Sequence, residues 1–181
     1  MSESDEELML RLARHDEDAA LMELIERYRE ILVNHFARRG VHHEYEDLAQ
    51  ETFFRIYKAR KRYKVTASFR TWMYRIAHRV WIDHLRKTSR RTRREKAYRE
   101  EPRPNHVTPS GMERHDLDWA LRRLSPAHRD VVVYSALEQL SHKEISVILR
   151  IPEGTVKSRL HHALRDLKTL LEQEDARHDT R

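Results

Sequence analysis

The sequence predicts an all-α protein, built as two small helical domains joined by a flexible linker. Apolar residues recur at helical spacing in both halves of the chain, as at Leu21, Leu24 and Tyr28. The 181 residues include 3 glycines, too few for a protein rich in tight hairpins. Between the halves, the segment from Thr88 to Gly111 is first basic and then contains prolines, and few of its residues are apolar. This composition is typical of a linker.

The composition also restricts the function. The formal net charge of +6, with 13 histidines besides, suits a polyanionic partner such as nucleic acid or an anionic membrane surface, although a charged surface can also serve solubility alone. The chain contains no cysteine, which excludes disulfides, thiolate zinc sites and cysteine nucleophiles. The first residues are acidic and no apolar run approaches membrane-spanning length, so we expect a cytoplasmic protein.

The first helical segment is predicted from Asp5 to Phe36 as a short helix followed by a longer one. The polar residues at 15–18 indicate the break, with Asp16 or Asp18 as N-cap of the longer helix. Gly40 is expected to end that helix in a left-handed C-cap.

Two further helices are predicted in the N-terminal half. One runs from about Tyr45 to Arg60, and a loop follows at 62–67. The other begins at the N-cap Ser68 and continues to about Thr88, and the basic residues after it are a candidate extension.

Local signals also define helices in the C-terminal half. A helix is expected to begin at about Glu113. Ser125-Pro126 begins the next one, with serine as N-cap and proline at the first helical position. The run Val131-Val132-Val133 follows this start, so we interpret it as buried helix rather than strand. Ser141 and Glu144 have the spacing of a capping box that begins a short helix.

That short helix, a turn at 150–154 and an amphipathic helix to about Glu172 predict a helix-turn-helix. In such a motif the second helix lies in the major groove and presents its N-terminal residues to base edges. Its polar face supplies donors and cations from Thr155, Lys157, Ser158, His161, His162 and Arg165. The plainer alternative is a helical hairpin with a solvated basic face. A metal site is not expected, because adjacent helical residues such as His161 and His162 point about 100° apart.

The stretch from Gln139 to Ala163 resembles region 4 of the extracytoplasmic-function sigma factors, most clearly in IPEGTVKSRLHHA at 151–163. The resemblance implies a domain that reads the minus-thirty-five promoter element through the face just described. It further implies that Ser141 and His142 meet backbone phosphates. His162 departs from the family, which more often has arginine there.

A second motif, DLAQETF at 47–53, places polar residues on one helical face. Alone it is most often a solvated stripe, and nothing nearby offers a nucleophile or a metal partner for acid–base chemistry. The motif resembles sigma region 2, where this face binds the largest subunit of core RNA polymerase. The residues implied are Asp47, Gln50, Glu51, Phe54 and Tyr57. Thr52, beside this face, is considered as a phosphorylation site.

The helix from Ser68 mixes aromatic rings with cations, the combination that holds single-stranded DNA. Phe69 and Trp72 are assigned to the core, whereas other rings and cations are less easily buried together. The segment resembles regions 2.3 and 2.4 of the same family, which capture and melt the minus-ten element, with help from the loop at 62–67. The residues implied are Tyr74, Arg75, His78, Arg79, Trp81 and Arg86. Arg79 stands where the family commonly has asparagine.

The resulting prediction is a sigma factor without enzymatic activity, cofactor or metal. Residues 1–88 form region 2, 89–112 a flexible linker, 113–174 region 4 and 175–181 a disordered tail. The expected partners are core RNA polymerase and promoter DNA, duplex and single-stranded, with an anti-sigma factor as a further candidate and no membrane insertion. The main alternative is a helix-turn-helix regulator that acts without polymerase; the other is an enzyme acting on nucleic acid, for which no carboxylates with metal spacing are found.

Overall fold

The computed structural model describes residues 3–39, 44–98 and 112–178, and no strand occurs in these ranges. The prediction of an all-α protein is therefore confirmed. The position of Gly40, predicted as a C-cap, lies outside the described residues.

The N-terminal half consists of four helices. Their bounds are α1 Asp5–His15, α2 Asp18–Ala37, α3 Tyr45–Ala59 and α4 Phe69–Tyr98, with a 3₁₀ turn at Arg60–Arg62 after α3. Ser4 and Glu7 form a capping box at the start of α1. Ser68 acts as the predicted N-cap of α4, since its hydroxyl accepts a hydrogen bond from the Thr71 amide at 3.2 Å.

One expectation at a helix end was wrong, and one that had been left open is resolved. Asp16 does not cap α2; with φ of 52° it ends α1 in the left-handed region, and its carboxylate accepts a hydrogen bond from Arg60 Nε at 2.6 Å. Helix α4 continues past Thr88 to Tyr98, so the basic residues considered as a candidate extension belong to the helix. The added residues include many Arg, Lys and Glu and no glycine or proline, and such residues favour helix.

The C-terminal half consists of four more helices. Their bounds are α5 Met112–Arg123, α6 Pro126–Val132, which continues in a π-helical turn at Val133–Leu137, α7 His142–Leu149, and α8 Glu153–His178. Ser125 caps α6 and the Ser141–Glu144 capping box starts α7, both as predicted. The three valines are helical and buried. The tail predicted to be disordered from 175 is helical as far as His178.

The buried apolar residues of the two halves form one continuous cluster. Within the N-terminal half α2 and α3 pack together and α4 packs on α3; within the C-terminal half α8 packs on α6, α7 and α5. The two halves meet where α4 lies along α7. This contact was not expected from a sequence that predicted two units on a flexible tether.

Candidate polymerase-docking and nucleic-acid interfaces

The α3 face predicted to bind polymerase is positioned by the burial of the opposite side of the helix, where Ile56 is fully buried. The five predicted residues, which we call the α3 acidic face, lie at helical spacing on one side of α3: Asp47, Gln50, Glu51, Phe54 and Tyr57. Asp47 and Gln50 are exposed, and Phe54 is 51% exposed.

Cations from the same region hold this face in place. Glu51 accepts a hydrogen bond from Arg55 Nε at 2.7 Å, and Arg55 also donates to Asp83 of α4 at 2.7 Å. The ammonium group of Lys58 lies 4.2 Å from the centre of the Phe54 ring. The α3 acidic face therefore combines exposed carboxylates with an exposed ring, a combination suited to docking on a basic protein surface.

Thr52 is not available as a phosphorylation site in this structure. Its side chain is fully buried, and its hydroxyl donates a hydrogen bond to the carbonyl oxygen of Leu48 at 2.8 Å. A kinase could reach it only after α3 had been displaced, so the suggestion made from the sequence is wrong for the folded chain.

The recognition face of α8 is exposed as predicted. Burial of Val156, Ala163 and Leu167 fixes the orientation of the helix. The predicted residues form the recognition face: Thr155 is half-buried, and the exposed members are Lys157, Ser158, His161, His162 and Arg165. The structure therefore brings all six to the solvent side of one helix.

The histidines near this face are held by neighbours rather than arranged around an ion. His128 lies 3.2 Å from the Asp166 carboxylate, and its ring lies parallel to that of His162 with centroids 6.5 Å apart. Among the described residues no group of three or more His, Asp or Glu side chains could hold a metal ion.

The N-terminus of α7 is partly engaged already. The hydroxyl of Ser141 accepts from the Glu144 amide and donates to the Glu144 carboxylate at 2.7 Å, as the capping box requires. His142 is half-buried beside it. A phosphate at this helix end would thus meet backbone amides and His142 more readily than the Ser141 hydroxyl.

The α4 residues predicted to hold the minus-ten element differ in exposure. We call this set the α4 DNA face: Tyr74, Arg75, His78, Arg79, Trp81 and Arg86. Arg79 and Arg86 are exposed, whereas Tyr74 is fully buried and Trp81 is 7% exposed. The expectation that these two rings would be free was wrong. Tyr74 packs against Tyr134 of the C-terminal half. Trp81 lies next to His84 and Arg39, both of the N-terminal half.

A cavity of about 330 Å³ lies where the loop at 62–67 meets α4. Arg62, Lys64 and Arg75 give its lining a positive charge, and Trp72 contributes a ring. Val147 of α7 forms part of its wall. The loop and α4 thus form a pocket together, as the sequence suggested, but the C-terminal half contributes to it as well.

Sequence reasoning missed a group of buried and half-buried polar residues between the two halves. Its members, which we call the interdomain cluster, are His35, Arg39, Arg70, Tyr74, Asp130 and Glu138. His35 and Glu138 are 103 residues apart, and Arg39 and Asp130 are 91 apart. No local pattern could pair them, since each occupies an ordinary helical position.

The fold and these faces define a two-domain helical protein with a helix-turn-helix in its second domain. Family models match in the same order: Sigma-70 region 2 over residues 24–91, and Sigma-70, region 4 over residues 114–167. None of the helices in the described ranges contains an uncharged apolar stretch of the length that a membrane span requires.

Curated relatives agree with the family models. The chain is 32% identical over 142 residues to the ECF RNA polymerase sigma factor SigW of Bacillus subtilis, covering 71% of this chain and 76% of that protein. It is 36% identical over 130 residues to the RNA polymerase sigma factor CarQ of Myxococcus xanthus, covering 70% and 74%. For the ECF RNA polymerase sigma factor SigE of Mycolicibacterium smegmatis the identity is 32% over 138 residues, and the match spans 73% of this chain and about half, 53%, of that protein.

Solved structures share the fold. CnrH in complex with the cytosolic domain of CnrY has a TM-score of 0.70 at 21% identity, covering 92% of this chain and 96% of that one. The sigma factor RpoE in complex with the anti-sigma factor NepR from Bartonella quintana has a TM-score of 0.71 at 21% identity, covering 83% and 96%.

The chain belongs to the sigma-70 family, in its extracytoplasmic-function group. It is therefore a sigma factor, which directs RNA polymerase to initiate at specific promoters. The polymerase-independent regulator considered from the sequence is not favoured.

Proposed function

We propose that the two domains divide the work of promoter recognition, acting in the cytoplasm without catalysis or cofactor. The N-terminal domain, at 1–88, binds core polymerase through the α3 acidic face and captures the minus-ten element through the α4 DNA face. The C-terminal domain, at 113–174, grips the minus-thirty-five element as duplex through the recognition face of α8. The observation that carries this assignment is that one chain presents both an exposed acidic face on α3 and an exposed basic face on a helix-turn-helix.

Covalent connection of the domains makes the second DNA contact intramolecular. Tethered modules meet at effective concentrations in the millimolar range. Two weak DNA contacts together therefore give tight binding when the distance between the modules matches the distance between the two promoter elements. Polymerase supplies that spacing in this proposal. Promoter specificity then depends on both elements being present at one separation.

The docking assignment is tested by replacing Asp47, Gln50 and Glu51 with alanine. We expect co-purification with core RNA polymerase to be lost while the helical circular dichroism spectrum is retained, because these side chains do not support the core. A matched control replaces Glu26 and Glu30, exposed acids of α2, with alanine. Retained polymerase binding by the α3 variant, or equal loss in the control, would contradict the assignment.

The DNA assignment is tested by footprinting with core polymerase and promoter fragments. Replacing Lys157 and Ser158 with alanine should remove protection of the upstream element and leave polymerase binding unchanged. Loss of downstream protection instead would reverse the assignment of the two domains.

An anti-sigma factor is a further partner within this proposal. The two structural relatives were solved as complexes, one with the cytosolic domain of CnrY and one with the anti-sigma factor NepR. A protein of this kind would act by covering the faces described above. Pull-down with the purified chain, followed by competition against core polymerase, tests for it.

A further inference from the structure

Two histidines from different helices lie side by side at the edge of the recognition face. The ring of His162, on α8, is nearly parallel to that of His128, on α6, with an interplanar angle of 16° and centroids 6.5 Å apart. The ring of His161 lies edge-on to that of His162, with centroids 5.6 Å apart. His162 is exposed and His128 is half-buried. The pair of His128 and His162 therefore forms the flank of the recognition face that is next to α6.

An acid is attached to this histidine pair. Nδ1 of His128 lies 3.2 Å from the carboxylate of Asp166, which is 38 residues further along the chain and about one turn of α8 beyond His162. An ionised carboxylate only accepts hydrogen bonds, so Nδ1 of His128 is the donor and Nε2 is the atom left to take up a further proton. A negative charge at this distance favours the protonated form of an imidazole. Asp166 therefore supports a proton on the pair.

The other charges around the histidine pair come from α5 and α8. The guanidinium group of Arg165 lies 4.0 Å from the Asp166 carboxylate. Arg123 of α5 lines the same cavity as His128 and Asp166. Charged groups of α6 and α7 that have other partners are Arg129, Asp130 and Glu144. The two arginines therefore oppose a proton on the pair, and Asp166, which makes the hydrogen bond, favours it.

The flank of α8 is where a DNA phosphate would lie. An α-helix with its side chains is about 10–12 Å across, and the major groove is about 12 Å wide. A recognition helix therefore fills the groove, and the side chains on its flanks reach the phosphates along the edges of the groove. Asp166 alone would repel such a phosphate, whereas a protonated histidine beside it would bind one.

Imidazole is the side chain that gains or loses its charge between about pH 5 and pH 8. Resting on the proposed function, we propose that His162, positioned by His128 and Asp166, is a protonation-dependent contact to a DNA phosphate at the minus-thirty-five element. The phosphate itself favours the charged imidazole, so binding of the upstream duplex takes up a proton and strengthens as the pH falls. An arginine at this position would not respond, because it is charged at every working pH.

The test is a footprinting titration of promoter DNA with polymerase holoenzyme at about pH 6 and about pH 8, followed at the upstream element. If the complex holds the proton about ten times more tightly, binding should be about fivefold tighter at the lower pH. The log–log dependence on salt should also be steeper there, by up to about 0.9. His162→Gln should largely remove both differences, and His162→Arg should give the steep salt dependence at both pH values.

Groups of the polymerase that titrate contribute equally to every variant, so the comparison isolates position 162. His15→Gln is the control, because His15 is an exposed histidine at the end of α1, outside the recognition face. Its pH profile should match that of the unmodified chain.

His128 and Asp166 are positioning residues in this proposal, and the pH profile separates that role from a structural one. Asp166→Asn keeps the shape of the side chain and removes its charge, so binding should be tighter at about pH 8 and the pH effect should shrink. Asp166→Glu, which restores a carboxylate, should restore the effect. His128→Gln should shrink it as Asp166→Asn does, and circular dichroism checks that each variant is folded.

Equal pH dependence of the unmodified chain and His162→Arg would overturn the contact at His162. Matching profiles for Asp166→Asn and Asp166→Glu would overturn the role given to Asp166. Protection of the upstream element that does not change with pH refutes this inference alone. If the unmodified holoenzyme protects that element at neither pH, the proposed function fails and this inference fails with it.

Discussion

The hydroxyl of Tyr74 donates a hydrogen bond to the carboxylate of Glu138, 64 residues further along the chain and in the other domain. Both groups are buried, and burial together with the Glu138 charge raises the pKa of Tyr74, so the phenol keeps its proton. Tyr74, which the sequence analysis assigned to DNA binding, is therefore engaged in a hydrogen bond within the protein.

A double-mutant cycle measures this hydrogen bond. Tyr74→Phe and Glu138→Ala should each lower the free energy of unfolding, and together they should show a coupling of about 1–2 kcal/mol, as expected for a bond to a charged group. Urea denaturation of the four proteins gives the value. As a control, the effects of Tyr74→Phe and Asp166→Asn on the free energy of unfolding should be additive. If the effects of Tyr74→Phe and Glu138→Ala were also additive, the hydrogen bond would not be formed in solution.

The contact between the two halves should weaken in acid because two neutral histidines lie in it, His35 buried and His78 half-buried. Burial, reinforced by the charge of Arg39, lowers the pKa of His35 to about 4, although Glu138 and Asp130 act in the opposite direction. Burial likewise lowers the pKa of His78 to about 4. Separation of the two halves returns both imidazoles towards their ordinary pKa of about 6.5, so the separated state binds protons more strongly. The contact contributes its full stability above about pH 6.5, and this stability decreases as the pH falls towards 4.

Energy transfer measures this response, with dyes on cysteines that replace Ala67 of the loop and Val147 of α7, two residues that line the same cavity. The signal should decrease between pH 7 and pH 5, and replacing His35 and His78 with asparagine should flatten the profile. His161→Asn, on the exposed recognition face, should leave it unchanged. A pH profile unaffected by the loss of both histidines would refute the assignment.

Phe54 should contribute to polymerase binding and not to folding. Its ring is 51% exposed, so Phe54→Ala should change the free energy of unfolding by less than about 0.5 kcal/mol. If the ring fills a pocket on polymerase, the same change should weaken that complex by about 2 kcal/mol, which titration with labelled core enzyme can detect. Met22→Ala provides the control, because Met22 is 63% exposed on α2. Equal effects of the two variants would argue against the α3 acidic face.

Lys157 should contact a DNA phosphate or base edge at the start of α8. Lys157→Ala should then reduce the steepness of the dependence of promoter binding on salt by about 0.9 in a log–log plot. The measurement is titration of promoter DNA with polymerase holoenzyme over a range of salt concentrations. Lys168→Ala is the control: it removes the same charge from α8, but Lys168 pairs with Glu172, so the slope should be unchanged. Equal slopes for Lys157→Ala and the unmodified protein would show that Lys157 does not contact DNA.

Thr52 provides a test of burial in α3. Thr52→Glu should lower the free energy of unfolding by about 3 kcal/mol or more, since it places a carboxylate where the threonine is fully buried. Thr52→Val should be far milder because its shape is nearly the same. Chemical denaturation measures the free energy of unfolding of the two variants. A Thr52→Glu protein as stable as the unmodified one would indicate that this site can accept a phosphate.

Local chemistry explains most of what the sequence predicted correctly. The Ser141–Glu144 capping box and the Ser125 cap depend on residues three positions apart, and both are present as expected. Exposure of the α8 recognition face follows from the helical period of its apolar residues. The family resemblance, confirmed by the comparisons, rests on equally local motifs.

The errors arose where distant residues compete with local preference. Asp16 is a good N-cap by type, yet Arg60 binds its carboxylate and the residue ends α1 instead. The extension of α4 past Thr88 was left open by the sequence because a basic, charged segment is compatible with either a linker or a helix.

The amino-acid sequence by itself determined the helices, most of their caps and the family, because these depend on neighbours within one or two turns. Only the tertiary structure decided that Tyr74 and Trp81 are buried and that His35, Arg39, Asp130 and Glu138 meet. Such contacts join residues about 60 to 100 positions apart. They form when two complementary surfaces exclude water, and no periodicity along the chain encodes which surfaces those are.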